Sequence, residues 1–348
     1  MVSFVVYIDA HLACRNKLAV AVEWFTAYKY PKIRNHLNPL VQNGTGYVGY
    51  SKNQPVWSNQ IFDIATNHGH PMAETLNSLY NVMKDNNTIY LFYNDEKPSG
   101  DKTFDLGHTK GVIAFDNVQG FWLIHSVPHY PTSNLYSYPP TGHSYAQSFI
   151  CVTFPISELK AISKQLYFTE PFIYASNLPD NLADEYPTLA EVITGKSIEN
   201  PPYIRKTILT SIEGTQFTHY AKHRKWGKEL YKDGVAKDIQ ESLLTETWQN
   251  GPGDIPSSCN PSGINVYNVK QIQFNAQNIS FTNSKDHSKY AVTFGNTSGG
   301  VANELAWICI GDINRQEGQK ARGGGTLCIS DNSLHNAYKS IISGYEKC

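Results

Sequence analysis

Charge is scarce in this chain of 348 residues: Asp, Glu, Lys and Arg make up 17%, and the formal net charge at pH 7 is −1. A protein that grips nucleic acid through overall basicity carries an excess of Lys and Arg, so at neutral pH that class is excluded. There is no C-x-x-C pair, which removes the common zinc and dithiol redox patterns. The phosphate-cradling G-x-x-x-x-G-K-[ST] loop, the H-E-x-x-H helix and the EF-hand loop are missing as well. No apolar run approaches the length that spans a bilayer. No low-complexity linker divides the chain, which points to one compact unit.

Histidine is what the chain has in place of fixed charge. Full protonation of its 12 histidines carries the formal charge from −1 to +11. A protein neutral at pH 7 and cationic near pH 5 suits an acidic compartment. Six cysteines, at positions 14, 151, 259, 309, 328 and 348, form an even set with fifteen ways of pairing, and they read as disulfides. Sequons at Asn43, Asn86, Asn278 and Asn296 agree with a secreted or lysosomal glycoprotein. Residues 1–13 read as a remnant or atypical signal segment: Val2 to Ile8 are apolar, but Asp9 and His11 follow at once and no basic stretch precedes them.

One pattern recurs. Gly107-His108-Thr109-Lys110-Gly111 opens an alternating apolar run to Phe115, and a second run, Phe121 to Val127, follows a turn. Near the C-terminus Asp286-His287-Ser288-Lys289 opens the run to Phe294, and Trp307 to Gly311 follows. Each copy predicts a β-hairpin with His and Lys at one lip, because residues two apart on a strand share a face. Phosphodiester cleavage needs a nucleophile, an acid for the departing oxygen and positive charge around the equatorial oxygens. Two histidines and two lysines supply all three. Asp286 and Asp312 are potential metal ligands, but an ammonium beside each imidazole repels a cation, so no metal and no cofactor are expected.

These blocks, with Gly120-Phe121-Trp122-Leu123-Ile124-His125-Ser126-Val127-Pro128, Gln147-Ser148-Phe149, Gly311-Asp312-Ile313-Asn314-Arg315 and Arg322-Gly323-Gly324-Gly325, resemble the motifs of the deoxyribonuclease II family of the phospholipase D superfamily. The resemblance spans roughly Cys14 to Cys348. It implies a mixed α+β fold with two similar β-sheet halves, flanked by helices and related by a pseudo-twofold, residues 14–165 and 166–348, that share one active site. It further implies an acid endonuclease that hydrolyses DNA to 3′-phosphate products through a phosphohistidine intermediate without a divalent metal. Catalysis then falls to His108, Lys110, His287 and Lys289, with DNA as partner; a homodimer is an open alternative to the monomer. The implied disulfides are Cys14 with Cys151, Cys259 with Cys348, and Cys309 with Cys328.

The wider superfamily places an Asp after His-x-Lys, and here Phe115 and Phe294 lie near that position. Support for the site is therefore expected from His125, which ends the first motif, and from Asn314 and Arg315 at the corresponding end of the second. Asn can orient an imidazole, and Arg can clamp a phosphate oxygen pair. Two other readings stay open: a catalytically silent secreted relative that binds DNA or a host partner, and a lipid phosphodiesterase. Elsewhere the periodicity predicts a strand over 22–30, a helix over 72–84, a strand over 88–93 and a closing helix over 333–342. The Pro-rich connection 130–142 is expected at the surface near the site.

Overall fold

Two large antiparallel-rich sheets, each built around one of the hairpins, form the frame of the computed structural model, which describes residues 11–261, 263–295 and 306–348. The first sheet holds β1 (Trp24–Lys29), β2 (Gly46–Ser51), β3 (Phe62–Asp63), β4 (Ile89–Asn94), β5 (Lys110–Phe115), β6 (Gln119–His125), β7 (Gln147–Pro155) and β8 (Ile173–Asn177). The second holds β9 (Ile204–Thr210), β10 (Gln216–Lys222), β11 (Leu243–Glu246), β12 (Val266–Phe274), β13 (Ile279–Thr282), β14 (Tyr290–Thr293), β15 (Trp307–Gly311), β16 (Gly324–Ser330) and β17 (Ile342–Tyr345). The fold is mixed α+β, with the sheets flanked by helices.

The strand orders repeat. In the first sheet β4-β5-β6-β7-β1-β2 matches β11-β14-β15-β16-β10-β9 in the second, with every neighbouring pair antiparallel. The match ends at the edge: β8 runs antiparallel to β4, whereas β12 runs parallel to β11. The helices that follow β7 and β16 interlock the halves. Leu159–Thr169 lies on the second sheet, where Gln165 Nε2 donates to His219 O on β10 at 2.8 Å. Asn332–Ser340 reaches the first sheet, where the Tyr338 hydroxyl meets Thr26 Oγ1 on β1 at 2.7 Å and Ala337 O accepts from Trp57 Nε1 at 2.9 Å.

Local sequence explains the helix boundaries. Pro71–Tyr80 begins with Pro at its first position and the His70 side chain accepting from Ala73 N, and it buries Met72, Ala73, Leu76 and Leu79. Asp331 caps the closing helix by accepting from Leu334 N at 2.8 Å. One core cluster unites the inward faces of both sheets, from Trp24, Ile113 and Ile150 to Leu244, Tyr290 and Leu327. A second covers the outer face of the first sheet and a third the outer face of the second. Residues of β5 and β6 are therefore buried on both faces, which is why these strands read as near-continuous apolar runs.

The connection 130–142 differs from its expectation. Tyr130, Tyr136 and Tyr138 are buried, packed with His70, His125 and Phe149 beneath the first sheet, because three large rings there bury more area than a solvated loop leaves exposed. Disulfides join Cys14 to Cys151, Cys259 to Cys348 and, directly opposite each other on β15 and β16, Cys309 to Cys328. Asn43, Asn86 and Asn278 are exposed, and Asn296 lies outside the described residues. No helix among the described residues is long and apolar enough to cross a membrane.

Candidate active site

Each His-x-Lys segment enters its strand across a seam with the other half. His108 N donates to Gly323 O at 2.9 Å, and His287 N donates to Ala146 O at 2.9 Å. That approach requires glycine at the seam: a Cβ on Gly107 would lie 1.9 Å from Thr169 O, and one on Gly323 would lie 2.2 Å from the same oxygen. Of the glycines after Arg322, Gly323 serves the close contact at the seam, whereas Gly324 and Gly325, residues of β16, sit tightly against Ile313 and His219 of their own half.

The rings are fixed in the same crossed manner. His108 Nδ1 hydrogen-bonds the carbonyl of Asp312, just past β15, while His287 Nδ1 hydrogen-bonds the carbonyl of Ser126, just past β6, at 2.9 Å. A carbonyl only accepts, so each Nδ1 carries the proton and each Nε2 is left as the basic nitrogen. Gln147 Oε1, oriented by Ser126 Oγ at 2.6 Å, lies 3.2 Å from His287 Nδ1 and favours the same tautomer. Both rings line one cleft of about 460 Å³ with Asp95, Glu96, Lys102, Trp248, Asn314 and Arg322.

The two lysines lie beneath the rings and are fully buried. Lys110 Nζ bonds Asp95, and Lys289 Nζ donates to the carbonyl of His287 while lying 3.2 Å from its Nδ1. Burial first, then the Lys110 ammonium, holds His108 well below its usual range; burial and then Lys289 do the same to His287. Lys289 is itself pushed well down, by burial first and Lys110 second. Burial thus biases both imidazoles toward the neutral form.

The halves differ in what stands beside the lysine. Burial would raise the Asp95 carboxyl, but Lys110, His108 and Arg322 outweigh it and hold it below the usual carboxylate range. Asp95 accepts from Arg322 Nη1 at 3.1 Å and has Oδ2 3.8 Å from His108 Nε2. Continuing the β11–β14 register past Glu246 and Tyr290 places Trp248 at the equivalent position of the second half. Its ring stands edge-on to His287 at 5.2 Å and to Tyr145 at 4.6 Å. Behind Lys289, Tyr28 hydrogen-bonds Asp286, and burial pushes both Asp286 and Glu246 upward.

The expected supporting residues fall in different places. Asn314 lines the cleft, with Oδ1 accepting from Trp248 N at 3.2 Å. Arg315 does not reach it: its guanidinium is buried and bonded to Asn268, Pro256 O and Ser258, with Glu229 at 3.6 Å. His125 is fully buried behind the site, with Nδ1 accepting from Val127 N and the ring against Tyr130. The carboxylate that Phe115 and Phe294 fail to supply comes instead from Asp95, whose amide pairs with Thr109 O across the hairpin at 3.2 Å. Its sequence signal is its position just after β4, opposite the His-x-Lys segment. Lys222 holds the adjoining wall, its ammonium bonded to the carbonyls of Gln319, Lys320 and Arg322. Among the described residues no group of three or more His, Cys, Asp or Glu side chains is arranged to hold a metal ion.

A pseudo-twofold α+β chain whose halves each present one imidazole to a shared cleft defines a class in which a single chain completes its own two-histidine site. The chain belongs to the deoxyribonuclease II family, whose model, described as Deoxyribonuclease II, matches residues 13–348. It is 35% identical to Plancitoxin-1 of Acanthaster planci over 345 residues, 97% of this chain and 92% of that protein. It is 34% identical to Deoxyribonuclease-2-alpha of Bos taurus, covering 97% of this chain and 90% of the relative. Deoxyribonuclease-2 of Caenorhabditis elegans is 32% identical, with 97% and 94% covered.

Proposed function

We propose that this protein is an acid endonuclease that hydrolyses DNA phosphodiesters to 3′-phosphate ends through a phosphohistidine, without a metal. The observation that carries the reading is the crossed pinning of the two Nδ1 atoms, which leaves two Nε2 nitrogens for one cleft. His108 Nε2 attacks phosphorus and the bond to the 5′-oxygen breaks. Protonated His287 gives its Nε2 proton to that oxygen, which departs as a hydroxyl. His287 then takes a proton from water, whose oxygen attacks phosphorus; the P–N bond breaks and the 3′-phosphate leaves.

Lys110 and Lys289 supply positive charge for the non-bridging oxygens from directly behind the rings. The deeper seat of His108 supports its role as nucleophile, and the partial exposure of His287 supports its role as acid and then base toward water. Two ammonium groups beside the imidazoles repel a divalent cation, which supports metal independence. The downward shift of both imidazoles supports an acid optimum, because one must gain a proton before it can donate. Both motifs lie on one chain, so the site needs no second subunit. Three disulfides and three exposed sequons support a secreted or lysosomal setting.

Digestion of plasmid DNA at pH 5 in excess chelator tests the reading, with cleavage and 3′-phosphate ends expected. A requirement for Mg²⁺, or an optimum near pH 8, overturns it.

A further inference from the structure

Phe104 is the exposed aromatic of the cleft: it lines the same cavity as His108 and His287, yet 77% of its surface faces solvent. A large apolar ring left uncovered at a polar site marks a surface built to meet something. Among the described residues no other ring stacks on it. Its backbone, in contrast, is held firmly by the second half. Arg322 donates to Thr103 O and Gly107 O at 3.0 Å each and to Leu106 O at 2.9 Å, while Arg224 donates to Asp105 O at 2.7 Å. Four carbonyls of the loop 103–107, on both sides of Phe104, held by two guanidinium groups make the ring's support rigid, so little ordering entropy is lost when a flat partner covers it.

We infer that Phe104 is the stacking platform for one unpaired base of the DNA strand whose phosphodiester lies between His108 and His287. The base is the one flat, apolar-faced part of a nucleotide, and every base presents such a face, so the contact gives grip without sequence choice. The base must be unpaired, because in a duplex its faces are covered by its neighbours, and because His108, only 7% exposed, is reached only by a strand drawn down into the cleft. The inference rests on the proposed nuclease reading and adds a substrate-binding residue to it.

Cleavage of an end-labelled single-stranded oligonucleotide, intact or with one abasic position, tests this bond by bond at pH 5. Removing the base should lower wild-type cleavage roughly five-fold or more at one phosphodiester a fixed spacing away. Phe104→Ala should lower cleavage of the intact strand by a similar factor and add no further loss at that bond in the abasic strand, and Phe104→Trp should restore the wild-type pattern. Equal cleavage of the intact strand by wild type and Phe104→Ala, or the same loss on intact and abasic strands, overturns the platform while leaving the nuclease reading standing. A wild-type protein that cuts neither strand nor plasmid overturns both.

Discussion

Asp95→Asn isolates the charge at the centre of the first half. The substitution keeps the shape but leaves Lys110 and Arg322 buried without their counter-charge, since Asp95 has a side chain only 5% exposed and bonds both. Removing one partner of a buried pair costs about 3–5 kcal/mol. For a chain of this size that lowers the melting temperature by about 4–7 °C. The sign with pH follows from the depressed carboxyl: its stabilisation is present above the ordinary Asp value of about 3.9 and is lost only as pH falls through the folded value below that. The deficit of the variant is therefore expected in full at both pH 7 and pH 5. The freed Lys110 ammonium further disfavours positive charge on His108, so kcat should also fall, on the order of 10-fold or more. Thermal unfolding of wild type and variant at the two pH values, with kcat on plasmid DNA, is the assay. A variant that melts with the wild type, or whose deficit appears only at pH 7, refutes the reasoning.

Burial depresses the values of His108 and His287, so the unfolded chain binds more protons than the folded one below about pH 6.5. The free protein should lose stability as pH falls through that value, and inorganic phosphate should restore more of it at pH 5 than at pH 7.5; equal stabilisation at both pH values in thermal melts would contradict the linkage. Asn314→Ala should lower kcat/KM while leaving the melting temperature within about 2 °C, whereas Arg315→Ala should unfold the region around Asn268 and lower the melting temperature by about 4–7 °C. The opposite ranking would return Arg315 to the phosphate. Thiol titration of the denatured, unreduced protein should find no reactive cysteine, as the three bridges require.

Periodicity located the strands and helices well because the hairpins are local: 88–93 corresponds to β4 and 72–84 to the helix Pro71–Tyr80. The family resemblance supplied the two-half arrangement, which no short window contains. What escaped was set by contacts distant in the chain. Asp95 acts on Lys110 across a strand pair, and Arg322 reaches Asp95 over 227 positions of sequence. Arg315 has the composition of a phosphate clamp, but its neighbours Asn268 and Ser258 take the guanidinium inward. His125 likewise follows an apolar run that continues into the core, against Tyr130 from a connection expected at the surface. Tautomers were out of reach altogether, since they follow from two carbonyls contributed by the opposite half.

The central claim is that two imidazoles of one chain divide the work at one phosphorus, and intact-protein mass spectrometry of His287→Asn tests it most directly. Mixed with DNA at pH 5 and quenched, the variant is predicted to carry a phosphoryl-linked nucleotide mapping to His108, because the nucleophile remains while the group that activates water is gone. An unmodified variant that turns over at a near wild-type rate, or an adduct on any residue other than His108, contradicts the account.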